Sequence, residues 1–207
     1  MKNFITFEGC EGVGKTTQLR FLKEYCESNG IDAVFTREPG GSEIAEKIRK
    51  IILDGSNEGM TGECEALLYA AARNQHINEV VLPALKRGSI VFCDRFTDST
   101  YAYQGSARGL GGKYVETLNK LSAGDCLPEY TVFLHLLPEL AFRRKGGADL
   151  KDRLEREKEE FHEKVYAGYM DIISKEPERF IVIDASGSKT ETQTRIISEL
   201  IKKGIIK

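Results

Sequence analysis

The run FITFEGCEGVGKTTQLRFL, residues 4–22, decides how the rest of the chain is read. Phe4 to Phe7 form an apolar strand pattern, a glycine-rich stretch follows, and Leu19, Leu22 and Cys26 then recur at helical spacing. A glycine, four residues and Gly-Lys-Thr, set between a strand and a helix, is the phosphate-loop pattern in the context it requires. Its glycines let successive backbone N–H groups turn inward, and the helix N-terminus adds partial positive charge. Gly9, Cys10, Glu11, Gly12, Val13, Gly14, Lys15, Thr16 and Thr17 are therefore expected to cradle an anion. In such a loop Lys15 would reach the terminal phosphates of a nucleotide and the Thr16 hydroxyl would ligate Mg2+.

Outward from the loop, short apolar strands alternate with longer amphipathic helices. Ala33 to Thr36 reads as a second strand ending in TREPGGS, after which Ser42 is placed to cap a helix with Ile44, Ile48, Ile51 and Ile52 along one face. A helical stretch from about Glu63 to Lys86 leads, past Gly88, into a buried strand at Ile90 to Cys93. Two more strands are expected at Thr131 to Leu136 and Phe180 to Ile183, separated by a charged helix from about Arg153 to Ser174. This order predicts a three-layer α/β fold: a five-stranded, mostly parallel sheet with right-handed crossovers and helices on both faces. Ligands of such sheets sit at the carboxyl ends of the strands. No repeat, low-complexity tract or linker divides the 207 residues, so one domain over residues 1–207 is expected.

Hydrophobic residues make up 41% and charged residues 30%, and the formal net charge is −2. A balance so near zero gives no overall field for nucleic acid or an acidic membrane, so any anion site must be built from a few placed cations. Five cysteines with no Cys-x-x-Cys pair fit reduced thiols in a cytoplasm. The opening MKNFITFEG lacks a signal-peptide core and no apolar run approaches ~20 residues, so a soluble intracellular protein is expected. His76, His135 and His162 have no partner at metal spacing and receive no role.

Switches, motors and kinases share the phosphate loop. A guanine-specific switch would need Asn-Lys-x-Asp after a strand, and the nearest match, Asn119-Lys120-Leu121-Ser122, lies in a helical pattern and ends in serine. Instead Arg37, Arg49, Arg73 and Arg95 stand at strand ends and on adjoining helices. Four cations so placed argue for a second anion site facing the loop, hence for phosphoryl transfer.

Over almost its full length the chain resembles the bacterial thymidylate kinases. The resemblance rests on FITFEGCEGVGKTTQ, TREPGGSEIAEKIRKIIL, EALLYAAARNQH, GSIVFCDRFTDSTYAYQGSARGLG and IDASGS, and most specifically on Asp-Arg-x-x-x-Ser-x-x-Ala-Tyr-Gln from Asp94 to Gln104. It implies the P-loop nucleoside monophosphate kinase architecture, a homodimer, and transfer of the γ-phosphoryl of ATP to dTMP with Mg2+. Tyr69 and Arg73, four apart on one helix face, match the pair that stacks on thymine and reads it, with tyrosine where phenylalanine is usual. Arg49 and Arg95 match clamps on the dTMP phosphate, with Arg37 nearby. Glu11 matches the acid on the sugar 3'-hydroxyl, and Asp94 the carboxylate near magnesium. Ser99, Thr100 and Gln104 match polar residues around the base, and Tyr103 the ring that excludes a 2'-hydroxyl.

The resemblance also places a lid at about residues 143–155, RRKGGADLKDRLE, with Arg144 and Arg153 as candidates for its catalytic arginine beside Lys15 and Arg95. GGADLK is longer than a compact lid. Two other functions compete. A kinase acting on a nucleoside hydroxyl would press Asp94 into service as a base, but would leave Arg49 and Arg95 without an anion. A catalytically silent nucleotide-binding module would have no use for Lys15, Thr16 and Arg95 together.

Overall fold

The computed structural model describes residues 1–145, 153–154 and 156–207. Five strands, β1 (Phe4–Glu8), β2 (Ala33–Arg37), β3 (Ile90–Asp94), β4 (Tyr130–His135) and β5 (Phe180–Asp184), form one all-parallel sheet in the order β2-β3-β1-β4-β5. Each expected strand is present within a residue of its expected ends. Both faces of β1 are covered, as a parallel sheet demands. Ile5 and Phe7 pack with Leu22, Phe133 and Tyr169 on one side, while Phe4 packs with Val81, Val91 and Phe96 on the other. Between the strands themselves, the buried Thr6 and Thr131 hydroxyls pair at 2.8 Å.

The helices are α1 (Lys15–Ser28), α2 (Glu43–Leu53), α3 (Gly62–His76), α4 (Leu82–Lys86), α5 (Thr97–Thr100), α6 (Gly112–Ala123), α7 (Pro138–Lys145), α8 (Glu159–Lys175) and α9 (Lys189–Lys202). A π-helical segment at Ile77–Val81 joins α3 to α4, so the long expected helix exists but is wound wider in its middle. A second such segment, Tyr101–Ala107, extends α5. Among the described residues no helix is long and apolar enough to cross a membrane.

Two helical expectations are corrected. On α2 the buried positions are Ala45 and Ile52, whereas Ile44 and Ile51 are 47% and 49% exposed, and Ser42 makes no side-chain cap. The charged helix begins at Glu159 rather than Arg153, because the residues before it bond across the fold instead of along a helix. Arg153 N–H donates to Leu53 O at 3.1 Å and the Arg156 guanidinium to Gly55 O at 3.3 Å. Of the expected lid, residues 146–152 and 155 lie outside the described residues.

The strand register sets the site. Arg37 and Phe7 both stand opposite Asp94 at the carboxyl ends of β2, β1 and β3, with Glu8 one residue further along β1. Charged side chains thus collect where the chain leaves the sheet for its helices.

Candidate active site

A cavity of about 500 Å³ opens over those strand ends. The loop after β1 contributes Glu11, Gly12, Gly14, Lys15, Thr16 and Thr17 to its lining, and Arg37, Arg49, Tyr69, Arg73 and Arg95 line it as well. Asp94, Ser99, Thr100, Tyr103, Gln104 and Arg144 complete the set that the sequence singled out. Gly9, Cys10, Val13 and Arg153 do not line it. Gly9 shows why the loop needs glycine: at φ 144° it lies so near β4 that a Cβ would meet Leu134 O at 2.9 Å.

The cations are held by protein acceptors. Lys15 Nζ donates to Gly9 O at 2.9 Å and Cys10 O at 3.0 Å, and burial followed by the charge of Arg95 lowers its pKa. Arg95 sits in the left-handed region, φ 69°, a strained conformation for a residue with a side chain. Its Nη2 donates to Glu11 at 2.6 Å, and its Nη1 to Gly9 O, Ser99 Oγ and Tyr169 OH at 3.1–3.2 Å. Its guanidinium also lies 5.0 Å from the centre of the Tyr103 ring, an attractive cation–π placement. Arg49 donates to Pro39 O at 2.8 Å, Arg37 pairs with Glu46, and Arg144 reaches Ala185 O at 2.7 Å and Ser186 O at 3.0 Å.

Acids that the sequence did not single out organise this wall. Glu8, fully buried, accepts from Phe96 N–H at 2.7 Å, Ser99 N–H at 3.2 Å, Ser99 Oγ at 2.6 Å and Tyr169 OH at 2.7 Å. Burial, reinforced by Asp98, pushes its pKa up to about 7 against the pull of Arg95, Ser99 and Tyr169. Glu38, in the TREPGG turn, pairs with Arg73 at 2.7 Å. Glu65 accepts from Gln104 at 2.7 Å, Arg108 at 3.0 Å, and Arg153. The one hint of Glu8 in the sequence is a charge closing an otherwise apolar strand.

Arg153 is held by partners away from the loop. Expected as a mobile catalytic group, it is 6% exposed and bonded to Glu65 and to Ile52 O at 3.1 Å, and it does not line the cavity, whereas its neighbour Leu154 does. A guanidinium is expensive to bury unless paired, and Glu65 supplies the pair.

Among the described residues no group of three His, Cys, Asp or Glu is placed to hold a metal ion by itself. Asp94, however, carries a buried Oδ1 with no hydrogen-bond partner, on the cavity wall that also holds Thr16. A spare carboxylate oxygen and a hydroxyl on one cavity fit a hard cation that keeps several waters and binds phosphate.

Compared with known proteins, residues 7–196 match the thymidylate kinase family. A thymidylate kinase of Bacillus velezensis is 48% identical over 205 residues, covering 97% of this chain and 97% of the relative. One from Symbiobacterium thermophilum is 44% identical over 206 residues, 98% of this chain and 96% of that one. The solved structure of thymidylate kinase from Ehrlichia chaffeensis is 34% identical, superposes with a TM-score of 0.76 and covers 96% of this chain and 97% of its own.

Proposed function

The chain belongs to the thymidylate kinase family, and on that premise we propose that the cavity at the strand ends is where its two nucleotides meet. The protein is a phosphotransferase that phosphorylates dTMP to dTDP with ATP, a step of deoxythymidine nucleotide biosynthesis. The relatives give no support to a nucleoside kinase or a silent nucleotide-binding module. What supports the placement is a single observation: the phosphate loop and the arginines Arg37, Arg49 and Arg95 line one cavity.

On this reading Gly9 to Thr17 hold the phosphates of ATP. Backbone N–H groups and the α1 N-terminus receive them, and Lys15 turns from the loop carbonyls to the terminal phosphate. Arg49 and Arg95, planar forks suited to oxyanions, clamp the dTMP phosphate, while Glu11 takes the sugar hydroxyl. Tyr69 stacks on the base, Ser99, Thr100 and Gln104 surround it, and Tyr103 crowds the 2' position. The acceptor oxygen belongs to a phosphate with a second pKa of about 6, so it is mostly dianionic at neutral pH and needs no general base. What the chain must supply is alignment and neutralisation of two mutually repelling anions, shared among Lys15, Arg95 and Arg144. Thr16 and Asp94 would hold Mg2+, which when bound neutralises the donor phosphates.

Residues 1–207 act as one domain in the cytoplasm, with residues around 143–155 as the lid, its far end anchored by Arg153. A homodimer forms through the side made by α2, α3 and α6. Support comes from exposed apolar residues there: Ile44 and Ile51, two turns apart on α2, Leu67 on α3, and Leu121, 75% exposed, on α6. Molar mass in solution tests it. The activity itself is tested by an ADP-release assay offering dTMP, dUMP, dCMP and thymidine separately. Strong preference for dTMP is expected, and equal turnover of thymidine would overturn the acceptor assignment.

A further inference from the structure

Arg73 is 1% exposed, yet it lines the cavity. A guanidinium has five N–H donors. Four are taken: Nε by Glu38 Oε2 at 2.7 Å, one on Nη1 by Asn119 Oδ1 at 2.9 Å, and both on Nη2, by Phe96 O at 3.0 Å and Thr100 Oγ1 at 2.9 Å. Among the described residues no acceptor takes the second Nη1–H, which is left for a ligand.

The salt bridge behind it is itself braced. Glu38 Oε1 meets His76 Nδ1 at 3.0 Å, and His76 Nε2 meets Thr36 Oγ1 at 2.7 Å, with His76 fully buried. A carboxylate only accepts, so Nδ1 donates to Glu38, while Nε2 shares a hydrogen bond with the threonine hydroxyl. A series of hydrogen bonds thus runs from β2 through Thr36, His76 and Glu38 to the guanidinium. Resting on the dTMP reading, we infer that Thr36, His76 and Glu38 are positioning residues that fix the last donor of Arg73 and so set discrimination between thymine and cytosine. The physical basis is that thymine presents an acceptor, O4, where cytosine presents an amino donor. A donor held rigidly meets the first and opposes the second, whereas one free to turn aside tolerates both.

The experiment measures kcat and KM for dTMP and dCMP in the full-length wild type and in His76→Phe, His76→Asn and Thr36→Val. His76→Phe removes both ring nitrogens. It is expected to raise KM for dTMP about tenfold, leave kcat within about twofold, and lower the dTMP-to-dCMP ratio of kcat/KM about tenfold. His76→Asn keeps a donor toward Glu38 and should retain most of the ratio. Thr36→Val removes only the outermost bond and should lower the ratio about threefold, so it decides the matter if His76→Phe does not fold. Against an Arg73→Met background, His76→Phe should change the ratio no further, since the donor it positions is gone. A wild-type ratio in the folded variants, with only thermal stability reduced, would overturn the inference and leave His76 a packing residue. Failure of the wild type to phosphorylate dTMP would instead overturn the reading beneath it.

Discussion

Replacing Glu8 by glutamine isolates the cost of a buried carboxylate under the phosphate loop. The exchange keeps the shape. The amide oxygen can accept from the Phe96 and Ser99 N–H groups, and the Ser99 and Tyr169 hydroxyls can rotate to accept from the amide nitrogen. In the folded wild type Glu8 keeps its proton up to about 7, against an ordinary value of 4.5. Between those pH values the folded chain binds more protons than the unfolded chain, so stability falls as pH rises through the window. At about 1.4 kcal/mol per pH unit this comes to roughly 3 kcal/mol, complete a little above pH 7. Glu8→Gln has no such loss, so the variant gains on the wild type by that amount between about pH 4.5 and pH 7.5. Denaturant titrations followed by far-ultraviolet circular dichroism at several pH values read the difference directly. A difference flat with pH would refute the reasoning, and one of opposite slope would show that Arg95 outweighs burial.

Arg95→Lys should lower kcat/KM for dTMP at least about a hundredfold, because an ammonium group cannot span Glu11, Gly9 O and an incoming phosphate as a planar fork does; steady-state kinetics checks it. Arg153→Met should cost about 3 kcal/mol in a denaturant titration while kcat stays within about threefold, since it breaks a buried pair away from the cavity. Arg144→Met should do the reverse, and a large kcat loss in Arg153→Met at unchanged stability would refute the anchoring role. Gly41→Ala should destabilise by about 1–3 kcal/mol, because φ is 84° and the added Cβ would stand 2.5 Å from Thr36 Oγ1 and from the His76 ring. Thermal unfolding reads it.

The strands and the phosphate loop were legible because their signals are local: short apolar runs, glycines at fixed offsets, a lysine and threonine beside them. The cavity wall was legible where a motif carried it, as from Asp94 to Gln104. Pairings between distant positions were not. Glu65 meets Arg153 across 88 residues, Glu8 meets Tyr169 across 161, and no spacing rule links them. For the same reason Arg153 read as a lid cation and residues 153–158 read as helix, since charge and helical propensity are visible in sequence while a buried partner is not. The outer face of α2 misled in another way. Ile44 and Ile51 follow helical spacing, but that spacing names a face without naming what covers it.

The cations of the site are already engaged: Lys15 with two loop carbonyls, Arg95 with a carboxylate, a carbonyl and two hydroxyls. On the proposed placement of the nucleotides, capture is a trade of partners, each phosphate oxygen taking the place of an internal acceptor of similar strength. Such swaps yield modest net affinity from strong individual contacts. They also let the same internal acceptors reclaim their donors when dTDP leaves, which favours rapid turnover over retention.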